Sequence, residues 1–381
     1  MTKRLYFASD YMEGAHPRLM QKLMQTNLEH TTGYGTDAYC DEARKCIRVA
    51  CHCPDAAVHF LVGGTQTNAT VIDAVLQLHQ GVISADFGHV SVHEAGAIEF
   101  TGHKVLPLPS QLGKIQAADV RKFVEDFYRD PNHEHMVCPG MVYISQPTEY
   151  GTLYSKAEMQ ALSKVCREFQ MSLYVDGARL AYALASPQND VSLADLAELA
   201  DVFYIGGTKC GAMLGEAVVF PNPEMCPHFF TIMKQHGALL AKGRILGVQY
   251  LELFRGDAES DCTLAADAAK DCDCTSASDI AKGGASSDLL YMEIGKSAVN
   301  FASEIKQALR EDGYRLYFDS PTNQVFFILE NDKLDAWAEH VEYSNFEKYD
   351  DDHTVVRFCT SWATSREDVA ALVELIHEFA E

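Results

Sequence analysis

Three short stretches bring together residue types able to hold a phosphate, protonate a ring nitrogen and attack a carbonyl. Gly63-Gly64-Thr65-Gln66-Thr67-Asn68 follows an apolar run and precedes Val71, Ile72, Val75 and Leu76 at helical spacing. Small residues there let backbone N–H groups approach an anion, which a helix N-terminus also favours. A plain tight turn with a Thr cap is the other reading. Asp176-Gly177-Ala178-Arg179 closes the β-rich run Ser172-Leu173-Tyr174-Val175, where a carboxylate either projects into a ligand crevice or caps a helix. Gly206-Gly207-Thr208-Lys209 follows Val202-Phe203-Tyr204-Ile205. A lysine at such a strand end is either a solvated surface residue or a partly desolvated amine available as a nucleophile.

Read together, these stretches suit pyridoxal 5′-phosphate, which needs a phosphate site, a lysine for a Schiff base and an acidic partner for its pyridine nitrogen. The acid keeps that nitrogen protonated, so the ring draws electrons from a substrate α-carbon. An aromatic plate would complete the site. His89, in Phe87-Gly88-His89-Val90-Ser91-Val92-His93-Glu94, can fill that place, with capping or core packing as its other reading.

The positioning elements follow from hydrophobic periodicity. Strands are predicted over 58–62, 82–84, 104–108, 141–145, 172–175, 202–205 and 216–220, and helices over 65–80, 117–128 and 156–169. This alternation predicts an α/β fold with a mostly parallel central sheet covered on both faces. Residues 256–288 are rich in Ala, Ser, Asp, Gly and Cys, lack aromatics and read as a flexible insertion. A helix over 298–309, strands over 324–329 and 354–359, and a helix over 367–379 then form a smaller α+β C-terminal domain. The expected division is 1–50 as an N-terminal arm with helices, 51–255 as the large cofactor-binding domain, 256–288 as the insertion and 289–381 as the small domain.

Composition narrows the partners. Of 381 residues, 47% are hydrophobic and 22% charged, a globular balance that argues against a largely disordered chain. The formal net charge of −23 opposes nucleic acid and anionic membrane as partners, but not a small anion in a basic pocket. No apolar run is long enough to span a membrane, and residues 1–10 lack a signal-peptide core. The expectation is a cytoplasmic protein with its 12 cysteines reduced. Cys272-Asp273-Cys274 with Cys262 lacks paired zinc-type spacing, His133-Glu134-His135 with Cys138 reads as a solvated loop ahead of a strand, and Cys51-His52-Cys53 as incidental thiols near a helix end, so no metal site is expected.

The sequence resembles the threonine aldolase and β-eliminating lyase family of fold-type I pyridoxal-phosphate enzymes. The resemblance rests on Asp176-Gly177-Ala178-Arg179, on Thr208-Lys209 through Gly215-Glu216-Ala217, and on Gly33-Tyr34-Gly35-Thr36-Asp37. Gly63-Gly64-Thr65, His89 through Glu94, Thr322-Asn323 and Arg357 match in order and spacing. The resemblance implies that Lys209 forms the Schiff base, Asp176 pairs with the pyridine nitrogen and His89 stacks on the ring. Gly64, Thr65, Gln66 and Thr208 would hold the phosphate, with Arg179 also near the cofactor. Arg244 would reach a phosphate, and Tyr34 a substrate, across a subunit interface. Ser9, Arg179 and Arg357 would bind the substrate carboxylate, a planar anion suited to a guanidinium fork. A homodimer or homotetramer with sites between subunits is implied, residues 1–50 joining the small domain to that interface.

Two departures bear on proton transfer. Where the family often carries Glu-Asn-Thr-His-Asn, this chain has Gln146-Pro147-Thr148-Glu149-Tyr150, so either Glu149 or His93 would take the hydroxyl proton or the step differs. The family's Thr-His after its C-terminal arginine is Thr360-Ser361 here. The reaction implied is cleavage of the Cα–Cβ bond of threonine, allo-threonine or a related β-hydroxy amino acid to glycine and an aldehyde. Competing readings are β-elimination or amino transfer on another amino acid, and a fold that binds without turnover.

Overall fold

The computed structural model describes residues 4–256 and 289–380. The predicted insertion, with Cys262, Cys272 and Cys274, lies outside the described residues apart from Gly256. A short strand, β1 (Leu5–Tyr6), precedes α1 (Pro17–Gln25) and α2 (Ala38–Ala50). Next come β2 (Ala57–Leu61), α3 (Gly64–Val75), β3 (Gln80–Ala85), the one-turn helices α4 (His89–Val92) and α5 (Ala97–Phe100), and β4 (Val105–Leu108). The alternation continues through α6 (Ala117–Arg129), β5 (Cys138–Ser145), α7 (Lys156–Glu168), β6 (Ser172–Asp176), α8 (Leu180–Ala185), α9 (Leu193–Leu199), β7 (Val202–Gly206) and β8 (Glu216–Phe220). α10 (Phe229–Gln235) and α11 (Arg244–Phe254) follow. The C-terminal part comprises α12 (Leu290–Glu311), β9 (Gln324–Glu330), α13 (Leu334–His340), β10 (Val341–Glu342), β11 (Ser344–Lys348), β12 (His353–Cys359) and α14 (Arg366–Ala380).

Strands β2-β8-β7-β6-β5-β3-β4 form one seven-stranded sheet in which only β8 runs against its neighbours. Its central strands are buried on both faces, which is why they read as continuous apolar runs rather than alternating ones. One face packs Tyr143, Tyr174 and Tyr204 with Val71 and Ile72 of α3. The other packs Ile144, Val175 and Phe203 with Leu162 of α7 and Leu196 of α9. A separate antiparallel sheet, β11-β12-β9, lies in the C-terminal part, and β1 pairs in parallel with β10 (Leu5 opposite Val341). Leu5 and Phe7 thereby share a core with Trp337 and Phe358.

Two helices differ from their predicted bounds by more than one residue at an end. α3 stops at Val75 because Leu76 turns extended and the Gln80 side chain captures the Gln77 amide at 2.9 Å, so His79 falls in a turn rather than on the helix. α12 starts at Leu290 instead of 298, since Tyr291 and Ile294 are buried and Gly295 lies against α8. A Cβ on Gly295 would stand 2.2 Å from the Ala181 carbonyl oxygen. The strands β1, β10 and β11 and helix α13 were not anticipated; β1 and β10 have two residues each, and β11 (Ser-Asn-Phe-Glu-Lys) has no fully buried residue and one aromatic.

Candidate active site

The carboxyl ends of β5, β6 and β7 meet the start of α3 along one edge of the large sheet. Register pairs Tyr143 with Tyr174 and Tyr174 with Val202. Side-chain alternation then puts Tyr143, Asp176 and Tyr204 on one face. Four donors converge on the buried Asp176 carboxylate. Tyr143 Oη (2.5 Å) and Asn68 Nδ2 (3.1 Å) donate to Oδ2, while Tyr204 Oη (2.5 Å) and the Ala178 amide (2.9 Å) donate to Oδ1. Burial, reinforced by the Asp176 charge, pushes both phenols well above the ordinary tyrosine range, so they stay donors.

His89 opens α4, and its Nδ1 lies 2.6 Å from Glu94 Oε1. The His93 ring follows one turn on, centred 5.7 Å from that of His89. Glu149 joins them from the loop after β5, with its Oε2 3.7 Å from Arg179 Nη1. Burial would raise the Glu149 carboxyl, but the charges of Arg179, Lys209, His89 and His93 outweigh it and hold it below its ordinary value. His93 is lowered, chiefly by burial. Near neutral pH the site therefore holds an ionised carboxylate and a neutral imidazole, either able to accept a proton. Lys209 lies in the loop after β7, its Nζ 5.8 Å from the centre of the Tyr11 ring and its carbonyl accepting from Tyr182 Oη at 2.5 Å.

The remaining expected residues divide into three groups. At the start of α3, the amides of Gly64, Thr65 and Gln66 have no acceptor within the helix. The Gln66 side chain is engaged elsewhere, accepting from the Val62 amide (3.4 Å) and donating to the His236 carbonyl (3.3 Å). Thr208 instead turns into the β7–β8 loop. Its amide donates to the Gly215 carbonyl (3.1 Å) and its hydroxyl accepts from the Gly215 amide (3.0 Å). Beside it, burial pushes the Glu216 carboxyl up to about 8.

The second group surrounds the expected carboxylate site. Arg179 closes its fork on Asp10, with Nε 2.6 Å from Oδ2 and Nη2 3.1 Å from Oδ1. That fork is therefore occupied within the chain. Arg357 donates to Gln324 Oε1 (2.9 Å), Ser344 Oγ (3.2 Å) and the Ala8 carbonyl (3.3 Å), and its buried Nε has no partner. Ser9 sits between the Ala8 contact of Arg357 and the Asp10 contact of Arg179. The third group lies elsewhere. Tyr34, 42% exposed, and Gly243, which precedes Arg244, pack on one another, since a Cβ on Gly243 would stand 2.5 Å from the Gly35 amide. Among the described contacts none joins Tyr34 or Arg244 to Lys209, and Arg244 Nη1 is buried without a partner.

These residues fit pyridoxal phosphate: open amides at a helix start, a buried Thr67 hydroxyl without a partner in the same turn, a carboxylate held by donors, and a lysine at the neighbouring strand end. The sequence reading missed Asp10, Asn68, Tyr143, Tyr204 and the separate place of Glu216. One signal was present. Tyrosines recur in strands that are otherwise wholly apolar, and a buried phenol needs a partner.

Comparison with known proteins agrees. The sequence matches the beta-eliminating lyase family over residues 7–361. It is 31% identical to a low-specificity L-threonine aldolase of Pseudomonas aeruginosa, covering 82% of this chain and 88% of that protein. The fold is similar to a threonine aldolase of Leishmania major, with a TM-score of 0.87 and 37% identity over 99% of this chain and 100% of that one. An aspartate aminotransferase of Thermus thermophilus shares the fold at 15% identity and a TM-score of 0.65, covering 99% of this chain and 92% of that one. The expected fold-type I architecture thus stands, and the chain belongs to the beta-eliminating lyase family of pyridoxal-phosphate-dependent enzymes.

Proposed function

We propose that this protein is an aldehyde-lyase that cleaves the Cα–Cβ bond of L-threonine, allo-threonine or a related β-hydroxy-α-amino acid to glycine and an aldehyde. The observation that carries it is the convergence of Lys209, His89, His93 and Glu149 beside Asp176 at one sheet edge. The named relatives support the same reaction.

Bound pyridoxal phosphate supplies the electron sink for charge developing at the substrate α-carbon. The amides of Gly64, Thr65 and Gln66 and the Thr67 hydroxyl would hold its phosphate, Asp176 its ring nitrogen, and Lys209 its aldehyde carbon. His89 would cover the ring. Arg357 and Ser9 bind the substrate carboxylate, while Arg179, already paired with Asp10, shapes the pocket wall. That clamp fixes which bond to the α-carbon is cleaved. His93 accepts the β-hydroxyl proton. A neutral imidazole is better matched to this task than a carboxylate held low by Arg179, Lys209 and His89. Glu149 steadies the proton once His93 carries it. The bonding electrons pass to the α-carbon, the aldehyde leaves, and the α-carbon is reprotonated to glycine. Tyr34 and Arg244 would complete a neighbouring subunit's site in a cytoplasmic homodimer or homotetramer.

The test is to incubate the cofactor-loaded protein with a panel of β-hydroxy amino acids and identify the products. Glycine with an aldehyde is expected. A keto acid would redirect the reading to amino transfer or elimination, and no product would overturn it.

A further inference from the structure

We propose that Glu94 is the positioning residue for His89: its Oε1 fixes the imidazole Nδ1 and, through Asn68, ties that ring to Asp176, so that plate and acid form one unit. The proposal rests on the reading that His89 covers the cofactor ring.

His89 stands at the first position of a helix only one turn long, which by itself does little to orient a ring. Glu94, on the loop beyond α4, supplies the orientation. Its Oε1 accepts from His89 Nδ1 at 2.6 Å and from Asn68 Nδ2 at 2.7 Å. The same Asn68 nitrogen lies 3.1 Å from Asp176 Oδ2, and Asn68 Oδ1 accepts from Tyr174 Oη at 2.8 Å. Four elements therefore contribute to one chain of contacts: α4, the α4–α5 loop, α3 and β6.

The choice of a carboxylate needs a reason. The Glu94 side chain is fully buried, and its Oε2 has no partner. A buried carboxylate with one oxygen unsatisfied is destabilising unless its charge is used. Here it faces the imidazole. Burial alone would lower His89, but the Glu94 hydrogen bond, then the charges of Glu149 and Asp176, outweigh burial and the opposing Lys209, so the ring holds its proton above the ordinary histidine range. His93, Tyr143 and Tyr174 are further titratable neighbours of the cluster. Engaging Nδ1 also fixes which nitrogen is left facing away from Glu94. A protonated plate would add a fixed positive field beside the cofactor ring.

The test is a ¹⁵N-edited NMR titration of the histidines in the cofactor-free protein. Glu94→Gln preserves shape and removes the charge. The His89 midpoint should fall by about 1 or more on the pH scale. An unchanged midpoint in folded variant overturns the proposal. If Glu94→Gln does not fold, the unmutated protein decides: a strongly downfield Nδ1 proton assigned to His89 supports the pairing, and its absence overturns it. Adding pyridoxal phosphate then tests the underlying reading separately. Upfield movement of the His89 ring protons places the ring over the cofactor. No movement, with the Glu94 pairing intact, overturns the positioning role by removing what is positioned.

Discussion

At the residue scale, Asp176 and Lys209 were legible because one ends an apolar strand and the other follows one by three residues, where a parallel sheet presents side chains to a ligand. Lys209→Ala should abolish turnover and the Schiff-base absorbance band, and a retained band would refute the assignment. Glu94, Asn68, Tyr143 and Tyr204 were not legible, because their meaning depends on which face of which element they share. The proton acceptor is the residue choice the sequence left open between Glu149 and His93. His93→Asn should lower kcat by about 10²- to 10⁴-fold with KM little changed, whereas a loss below ~10-fold would point to Glu149. The pH profile gives an independent check. His93 must be neutral to accept a proton, and its value is lowered, so kcat should fall only below the ordinary histidine range. An acid limb at or above that range would contradict the assignment.

At the element scale, Asp10 fastens three separate parts of the chain. It accepts from Arg179, just after β6, and from Asn323, just before β9, whose Nδ2 also donates to the Thr360 carbonyl at 2.9 Å. Burial opposes its charge, but Arg179 and Lys209 and the hydrogen bonds from Arg179 and Asn323 prevail, so its carboxyl is lowered. The folded value lies below the unfolded one of about 3.9. The stability it contributes is therefore present above that pH and is lost as pH falls through the folded value. Asp10→Asn should destabilise by about 3–5 kcal/mol in denaturant unfolding, because the buried Arg179 loses its principal partner. A change under ~1 kcal/mol would show that Glu149 replaces it. Packing gives a second element-scale expectation. Gly295→Ala would force α12 away from α8, the helix that follows Arg179, and should lower both the melting temperature and the soluble yield; an unaltered melting temperature would refute the close approach.

At the scale of the molecule, the alternation of strands and helices between residues 57 and 220 was readable because every central strand is buried on both faces. The pairing of β1 with β10 was not, since two-residue strands carry no period and their partners are far apart in sequence. Nor could periodicity reveal that β8 runs antiparallel. Among the described residues no helix is long and apolar enough to cross a membrane. Tyr34 and Arg244 lie apart from Lys209 within one chain, so a shared site predicts complementation. Lys209→Ala and Arg244→Ala subunits, each inactive alone, should regain activity when co-assembled, and mixtures that stay inactive would argue for sites complete within one chain.

The junction at Asp10 also sets an order of events during synthesis. A nascent chain that has emerged only through β8 already contains Lys209, Asp176 and the start of α3. Its Asp10 can meet Arg179, but Asn323 and the Thr360 carbonyl have not yet been made, and Arg357 is missing too. The residues of one chain that would hold the cofactor ring are thus made well before the substrate pocket can close, which needs the first ten residues and the last strand together.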